Sequence, residues 1–380
     1  MDIERFFLIL SFSISIFSAV FCMVLLLMKV LTESLDRFVK RMILLLITGF
    51  AVEVIYLLTI FFYNFNIQIF IQLKALNFFA MLVLPVLFYH FVFKLTRLRT
   101  SEDFKLSHYV LPFTLALLYG ILFSMAPEEL KTDTSDKLPN WIKGQEIYII
   151  FNYSRFYIRL VVSVIYVYLS VKRLIHYRTE IIQYSSDTTV SSLTWLYQIF
   201  GMGLLIFPFP ILYYFISNDI YIRFIGLLLP NLLVLMFNVV LCYNIFQQNF
   251  VLLTEDIIVD KFSDLEKNGN DYLNHKEVHA YMMTKKPYLD PYLKITDLVP
   301  VFATNRTYLS SFINTTYGLN FSMYINKFRL EEFYYLKGLP ENKDMDIDEL
   351  VYLSGFRSFQ SLKRSEKILS SLPEFAIKES

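Results

Sequence analysis

Thr-Asn-Arg-Thr-Tyr-Leu-Ser-Ser-Phe-Ile-Asn, residues 304–314, is the stretch on which the fold of the C-terminal part turns. Apolar residues recur at helical spacing, so a helix over 305–315 places Leu309, Phe312 and Ile313 on one face. Arg306, Thr307, Ser310, Ser311 and Asn314 then project from the other face. Tyr317-Gly318 closes it, with Gly where a left-handed C-terminal residue is needed. Upstream, a first helix from about Thr296 starts with a Thr cap and Asp297 in its first turn, and Ala303-Thr304 makes a short break. Two short helices joined by a tight turn, the second with a polar outer face, form a helix-turn-helix. Arg, Asn and hydroxyl side chains on such a face suit hydrogen bonding to base edges and phosphates. Downstream, a helix over 322–336 keeps Ile325, Phe328, Leu330, Phe333 and Leu336 inward. A second, shorter pair follows: a helix over 347–353, the turn Ser354-Gly355-Phe356, and a helix over 357–368.

The rest of the chain has a different solvent. Of its 380 residues 56% are hydrophobic and 18% aromatic, with a mean hydropathy of +0.47, more apolar than an ordinary soluble domain. Seven stretches are long enough to cross a bilayer: 6–28, 42–63, 69–93, 108–125, 147–171, 193–217 and 221–246. The first lacks a small-residue cleavage site and reads as an anchor. Lys and Arg gather after the first, third and fifth stretches (Lys29, Arg37, Lys40, Arg41; Lys94, Arg97, Arg99, Lys105; Lys172, Arg173, Arg178). The positive-inside rule therefore puts the N-terminus outside and the C-terminal part in the cytoplasm of a cell bounded by this inner membrane. Cys22 and Cys242 both fall inside apolar stretches, so no disulfide framework is indicated.

Three parts follow: a seven-span membrane domain 1–246, a connector 247–286 and a C-terminal domain 287–380, all α-helical. In the connector, Phe250, Leu253, Ile257, Ile258, Phe262 and Leu265 stand near helical spacing, with acidic residues between them, until Asn268-Gly269-Asn270 breaks the pattern. Such a helix suits dimerisation or plain packing on the next domain.

Thr304-Asn305-Arg306-Thr307-Tyr308-Leu309-Ser310, Ile313-Asn314, Gly318-Leu319-Asn320-Phe321, Tyr324-Ile325-Asn326, Arg329 and Gly355-Phe356-Arg357-Ser358 together resemble the AraC/XylS family of transcription regulators. The resemblance covers about 289–373 and not the membrane domain. It implies two helix-turn-helix units joined by a long helix and set on adjacent major-groove segments of double-stranded DNA. The DNA-contacting positions would be Asn305, Arg306, Thr307, Tyr308, Ser310, Ser311 and Asn314 in the first unit. In the second they would be Arg357, Ser358, Gln360, Ser361, Lys363 and Arg364. The chain departs from the family pattern at several places. Val299, Val351 and Phe333 stand for small Ala residues, Pro300 lies inside the first helix, Glu366 takes an aromatic core position, and Ser371 replaces Gly. Residues 287–380 hold eleven Lys plus Arg against twelve Asp plus Glu, a net charge of −1, whereas DNA binders usually present a basic surface.

Ionisable groups inside a span cost about 2.5–3.5 kcal/mol each on insertion scales and call for partners. Asn152, Arg155 and Arg159 share a face of the fifth stretch, and Glu53 lies at similar depth in the second. They form either a buried Arg–Glu pair or a ligand pocket floored by the two Arg. His275 and His279 lack the Glu placement of a metalloprotease helix, and no nucleophile set or phosphate loop appears, so neither an enzyme nor a cofactor is expected. The expectation is a membrane-integrated, one-component transcription regulator. Its partners would be DNA, membrane lipid, a second copy in a homodimer, and a small-molecule or membrane signal. The alternative is a membrane adaptor or receptor whose helix-turn-helix domain binds a protein.

Overall fold

Long apolar runs with few breakers give helices, and every regular element among the described residues is helical. The computed structural model describes residues 3–98, 102–132, 142–186, 193–206, 220–248, 250 and 273–371. They fall into two units: Met1–Thr96, Asp103–Leu174 and Trp195–Asn249 form the first; Arg97–Glu102, Ile175–Thr194 and Phe250–Ser380 form the second.

In the first unit α1 (Ile3–Thr32) packs on α2 (Arg37–Phe65) and on α8 (Ile220–Phe246); α2 packs on α3 (Ile67–Leu95), and α3 on α4 (Val110–Met125). The side chain of Asp36 caps α2. Asn66 ends α2 and caps α3 by accepting from Ile69 N, so one residue makes the whole turn between two long helices. Where helices meet, short polar side chains pair across the seam. Ser15 Oγ donates to Asn231 Oδ1 at 2.6 Å, Asn238 Nδ2 to Ser18 Oγ at 3.1 Å, and Asn77 Nδ2 to Thr59 Oγ1 at 2.6 Å. Such bonds hold helices together where apolar surroundings offer no other partner. The outer surface stays apolar, with Phe17, Leu117 and Ile147 widely exposed.

Five helices are long and apolar enough to cross a membrane: Ile9–Thr32, Arg37–Phe65, Ile67–Leu95, Leu106–Met125 and Leu228–Phe246. They answer to five of the seven expected stretches. The fifth stretch lies in α6 (Glu146–Ile181), whose 36 residues extend well past the expected end at 171. At 1.5 Å per residue it is about 54 Å long, nearly twice the hydrocarbon thickness of about 30 Å. The sixth begins as α7 (Thr194–Ile206), and residues 207–217 of that stretch lie outside the described residues. So do Trp141 and connector residues 251–272, Ile258 and Phe262 among them. A short helix, α5 (Glu128–Thr132), completes the set.

The second unit holds α9 (His275–Lys285), α10 (Ile295–Leu298), α11 (Arg306–Tyr317), α12 (Phe321–Gly338), α13 (Ile347–Leu353) and α14 (Phe359–Ser370). Its core is built on α12, where Phe321, Tyr324, Ile325, Phe328, Leu330 and Phe333 are buried. Caps set the boundaries: Asn305, Asn320 and Ser358 side chains accept from the third backbone N–H beyond, and Gly318 closes α11 at φ 66°. The expected first helix is shorter than its pattern. It stops at Leu298, before Pro300, whose ring has no N–H to continue it, and Ala303 takes a left-handed φ of 46° in the turn. The last helix starts at Phe359 and not at Arg357, because Ser358 is its cap. Ser371 needs no glycine freedom, since its φ is −81°. Val351 is fully enclosed, and Glu366 sits at the rim, where Tyr334 Oη donates to it and Lys363 Nζ approaches to 2.9 Å.

Candidate functional site

Capping by Asn305 starts α11 one residue later, and its inward face is Leu309 and Ile313, both buried. The opposite face does not look into solvent throughout. Residues 182–186 follow α6, the first three as a hydrogen-bonded turn, and Gln183 and Tyr184 lie against this face. Ile295 N donates to Tyr184 O at 3.0 Å, Ser186 N to Leu293 O at 3.2 Å and Ser322 N to Ile182 O at 3.3 Å. Ser185 and Lys294 form an antiparallel bridge.

Over α11 the side chains of this segment meet the expected reading residues. Ser310 Oγ donates to Gln183 Oε1 at 3.1 Å, and Asn314 Nδ2 reaches the same oxygen at 3.5 Å. The Arg306 guanidinium lies 5.9 Å from the ring centre of wholly buried Tyr184. The spacing places Arg306 outward; it is half-buried, and its Nε and Nη1 have no hydrogen-bond partner among the described residues. Burial works against its charge, which Glu180 and Tyr184 nearby partly restore. A buried donor without a partner costs about 1–3 kcal/mol. Asn305 and Ser311 are exposed, although the Asn305 side chain is occupied as the helix cap, and Tyr308 is half-buried. The side chain of Thr307 lies outside the described residues.

Arg329, on α12, is the opposite case. Only 2% exposed, it donates through Nε to Tyr288 O at 2.7 Å and through Nη1 to Asn326 Oδ1 at 3.0 Å. Its Nη2 reaches Ser186 Oγ at 2.9 Å and Asp290 O at 2.7 Å. One guanidinium thus ties α12, the turn before α10 and the end of segment 182–186. Sequence reasoning placed Arg329 in the family pattern without giving it this role.

The second pair is open. Arg357, Ser358, Gln360, Lys363 and Arg364 are exposed, as expected of side chains that meet a ligand. Ser361 is not among them: it is buried as the third residue of a capping box with Ser358. His275 and His279 stack on each other at 6.2 Å and pack on Tyr317 and Phe328.

In the first unit the four polar residues expected together are divided. Arg155 Nε donates to Asn152 O at 2.9 Å and its guanidinium covers the Tyr119 ring at 4.8 Å, while Tyr119 Oη donates to Asn152 Oδ1. Glu53 and Arg159 instead border a cavity of about 310 Å³ with Tyr56, Met81, Phe88 and Phe237. They do not pair. Glu53 accepts from Asn238 Nδ2 at 3.0 Å, and Arg159 has the Tyr56 ring at 5.3 Å and Met81 Sδ at 3.8 Å. The cavity sits at the lower end of ligand-pocket volumes, about 300–1,000 Å³, and its wall is nearly all apolar.

No protein-family model, curated protein or solved structure matches this chain.

Proposed function

We propose that the protein is a membrane-integrated transcription regulator of the AraC/XylS type, with a seven-span membrane domain and a cytoplasmic double helix-turn-helix that reads DNA. The observation that carries the reading is the second unit's sequence of caps and turns. Asn305 opens α11, Gly318 closes it, and Ser358 opens α14 with Gln360, Lys363 and Arg364 exposed. Two short helix pairs on one buried linking helix suit two successive contacts with a duplex. Lys and Arg after the odd spans favour this unit in the cytoplasm at the inner membrane.

The signal enters through the cavity beside Glu53 and Arg159. Its apolar wall takes an acyl chain, and the Arg159 guanidinium, which no carboxylate among the described residues matches, takes an anionic head. The ligand class is therefore an anionic amphiphile, either a free fatty acid or an acidic phospholipid. Such a ligand acts only if it binds the two states of the regulator unequally.

Full-length protein in lipid nanodiscs, incubated with its own fragmented genome, tests the DNA reading. A few promoter fragments should be enriched by the wild type and lost by Asn314→Ala and by Lys363→Ala/Arg364→Ala. Uniform recovery by all three would favour the adaptor reading, which the net charge of −1 over residues 287–380 supports. Dodecanoate or phosphatidylglycerol, compared with dodecanol or phosphatidylcholine, tests the cavity. Binding that does not discriminate acid from alcohol and acidic from zwitterionic lipid, or that survives Arg159→Gln, sinks the anionic ligand.

A further inference from the structure

We propose that residues 182–186 are a built-in cover for the reading face of α11, a piece of the chain that competes with DNA for the same side chains. The proposal rests on the DNA-reading assignment of this unit and adds its control.

The cover mimics what it displaces. In the major groove guanine offers acceptors at N7 and O6, to which Arg donates, and adenine offers N7, to which the Asn amide donates. Gln183 Oε1 offers one acceptor, and Ser310 Oγ and Asn314 Nδ2 both point to it at 3.1 and 3.5 Å. Tyr184 supplies a ring face to Arg306 where a phosphate or guanine would supply two acceptors.

The cover is held unevenly. Its far end is locked: Ser186 bonds Leu293 through N and Oγ, and takes Arg329 Nη2 on its hydroxyl at 2.9 Å. At the reading face, Arg306 Nε and Nη1 have no partner among the described residues, so this end leaves a charged donor group short of acceptors that nucleic acid would provide. Gln183 is half-buried; its N–H donates to Glu180 O in the turn after α6, and its side chain alone meets α11. Turning the Gln183 side chain away therefore frees Ser310 and Asn314 without undoing the Ser186 lock or the bond from Ile295 N to Tyr184 O. The cover also begins at the residue after α6, a helix whose residues up to Leu174 belong to the membrane unit. A shift of α6 along its axis reaches Gln183 through one residue, Ile182.

The test uses the full chain in nanodiscs and a fragment enriched by the wild type. Gln183→Ala removes the acceptor without emptying a core position and should tighten DNA binding about tenfold, within the usual range of coupling. A second variant, Gln183→Cys with Ser310→Cys, allows a short thiol cross-linker to fix the cover; Cys22 and Cys242 are buried. Cross-linking should weaken DNA binding at least about tenfold relative to the same variant left unlinked. Unchanged affinity in Gln183→Ala, together with equal affinity before and after cross-linking, overturns the cover and leaves the DNA reading intact. Cross-linking that proceeds while no form of the protein binds any fragment overturns the DNA reading, and the cover with it.

Discussion

The α10–α11 pair and the α13–α14 pair share a plan, a short helix, a turn and a capped second helix, yet they meet different surroundings. Ser310 and Asn314 of the first are engaged by Gln183, and Arg306 is half-buried beneath Tyr184. Gln360, Lys363 and Arg364 of the second are exposed. The two turns differ as well. Gly318 has open space where a side chain would go, whereas a Cβ on Gly355 would lie 2.9 Å from Leu289 Cα and closer still to Tyr288 O. The difference teaches that the second pair is fixed by backbone packing around its turn, and the first by what lies over its outer face.

The largest effect should come from Arg329→Met, which strips the bonds joining Ser186 to the turn at Tyr288 and Asp290. Buried carbonyls left without donors make a loss of about 3–5 kcal/mol the expectation, read by thermal unfolding of the C-terminal unit. Stability within 1 kcal/mol of wild type would show that Arg329 does not hold the segment. Gly355→Ala comes next, at about 3 kcal/mol, from a φ of 88° and the clash with backbone that cannot move aside. Gly318→Ala, with φ of 66° and free space, should cost only about 1 kcal/mol. Equal costs at the two glycines would erase the contrast between the turns.

The smallest effect concerns pH. The Glu366 carboxyl is held below its usual range by the hydrogen bonds from Tyr334 and Lys363. Its contribution is therefore present above the unfolded carboxylate pKa and lost as pH falls through the lower folded value. A Glu366→Gln variant should lose that acid-side slope while keeping the α12–α14 packing. Because the group sits at a half-buried rim in reach of water, solvent screening keeps the change slight. An identical acid limb in both proteins would show that Glu366 is merely solvated.

Much of the second unit was legible because its signals are local. Asn305, Gly318 and Ser358 act within three residues of themselves, and the resulting boundaries lie within two residues of those expected at the starts of α11, α12 and α14. Pro300 as a helix interior residue was the misreading: ending α10 at Leu298 removes the conflict. Glu366 at a core position was another, since the site is a rim with a hydroxyl and an ammonium in reach. The outward Arg306 was the third. A helical wheel assigns a side chain to a face but says nothing about a segment more than a hundred residues away that covers that face.

The membrane unit divides along the same line. Hydropathy alone located the five helices long and apolar enough to span, because each run of apolar residues must satisfy its own backbone in lipid. Periodicity put Asn152, Arg155 and Arg159 on one face, and the sequence went no further. Packing decided that Arg155 turns to Tyr119, that Arg159 borders the cavity with Glu53, and that Glu53 accepts from Asn238 and not from Arg159. Helix formation, capping and span length depend on neighbours in the chain, so the sequence by itself determined them. The placement of Gln183 and Tyr184 over α11 depends on contacts made across more than 120 residues, and only the tertiary structure decided it.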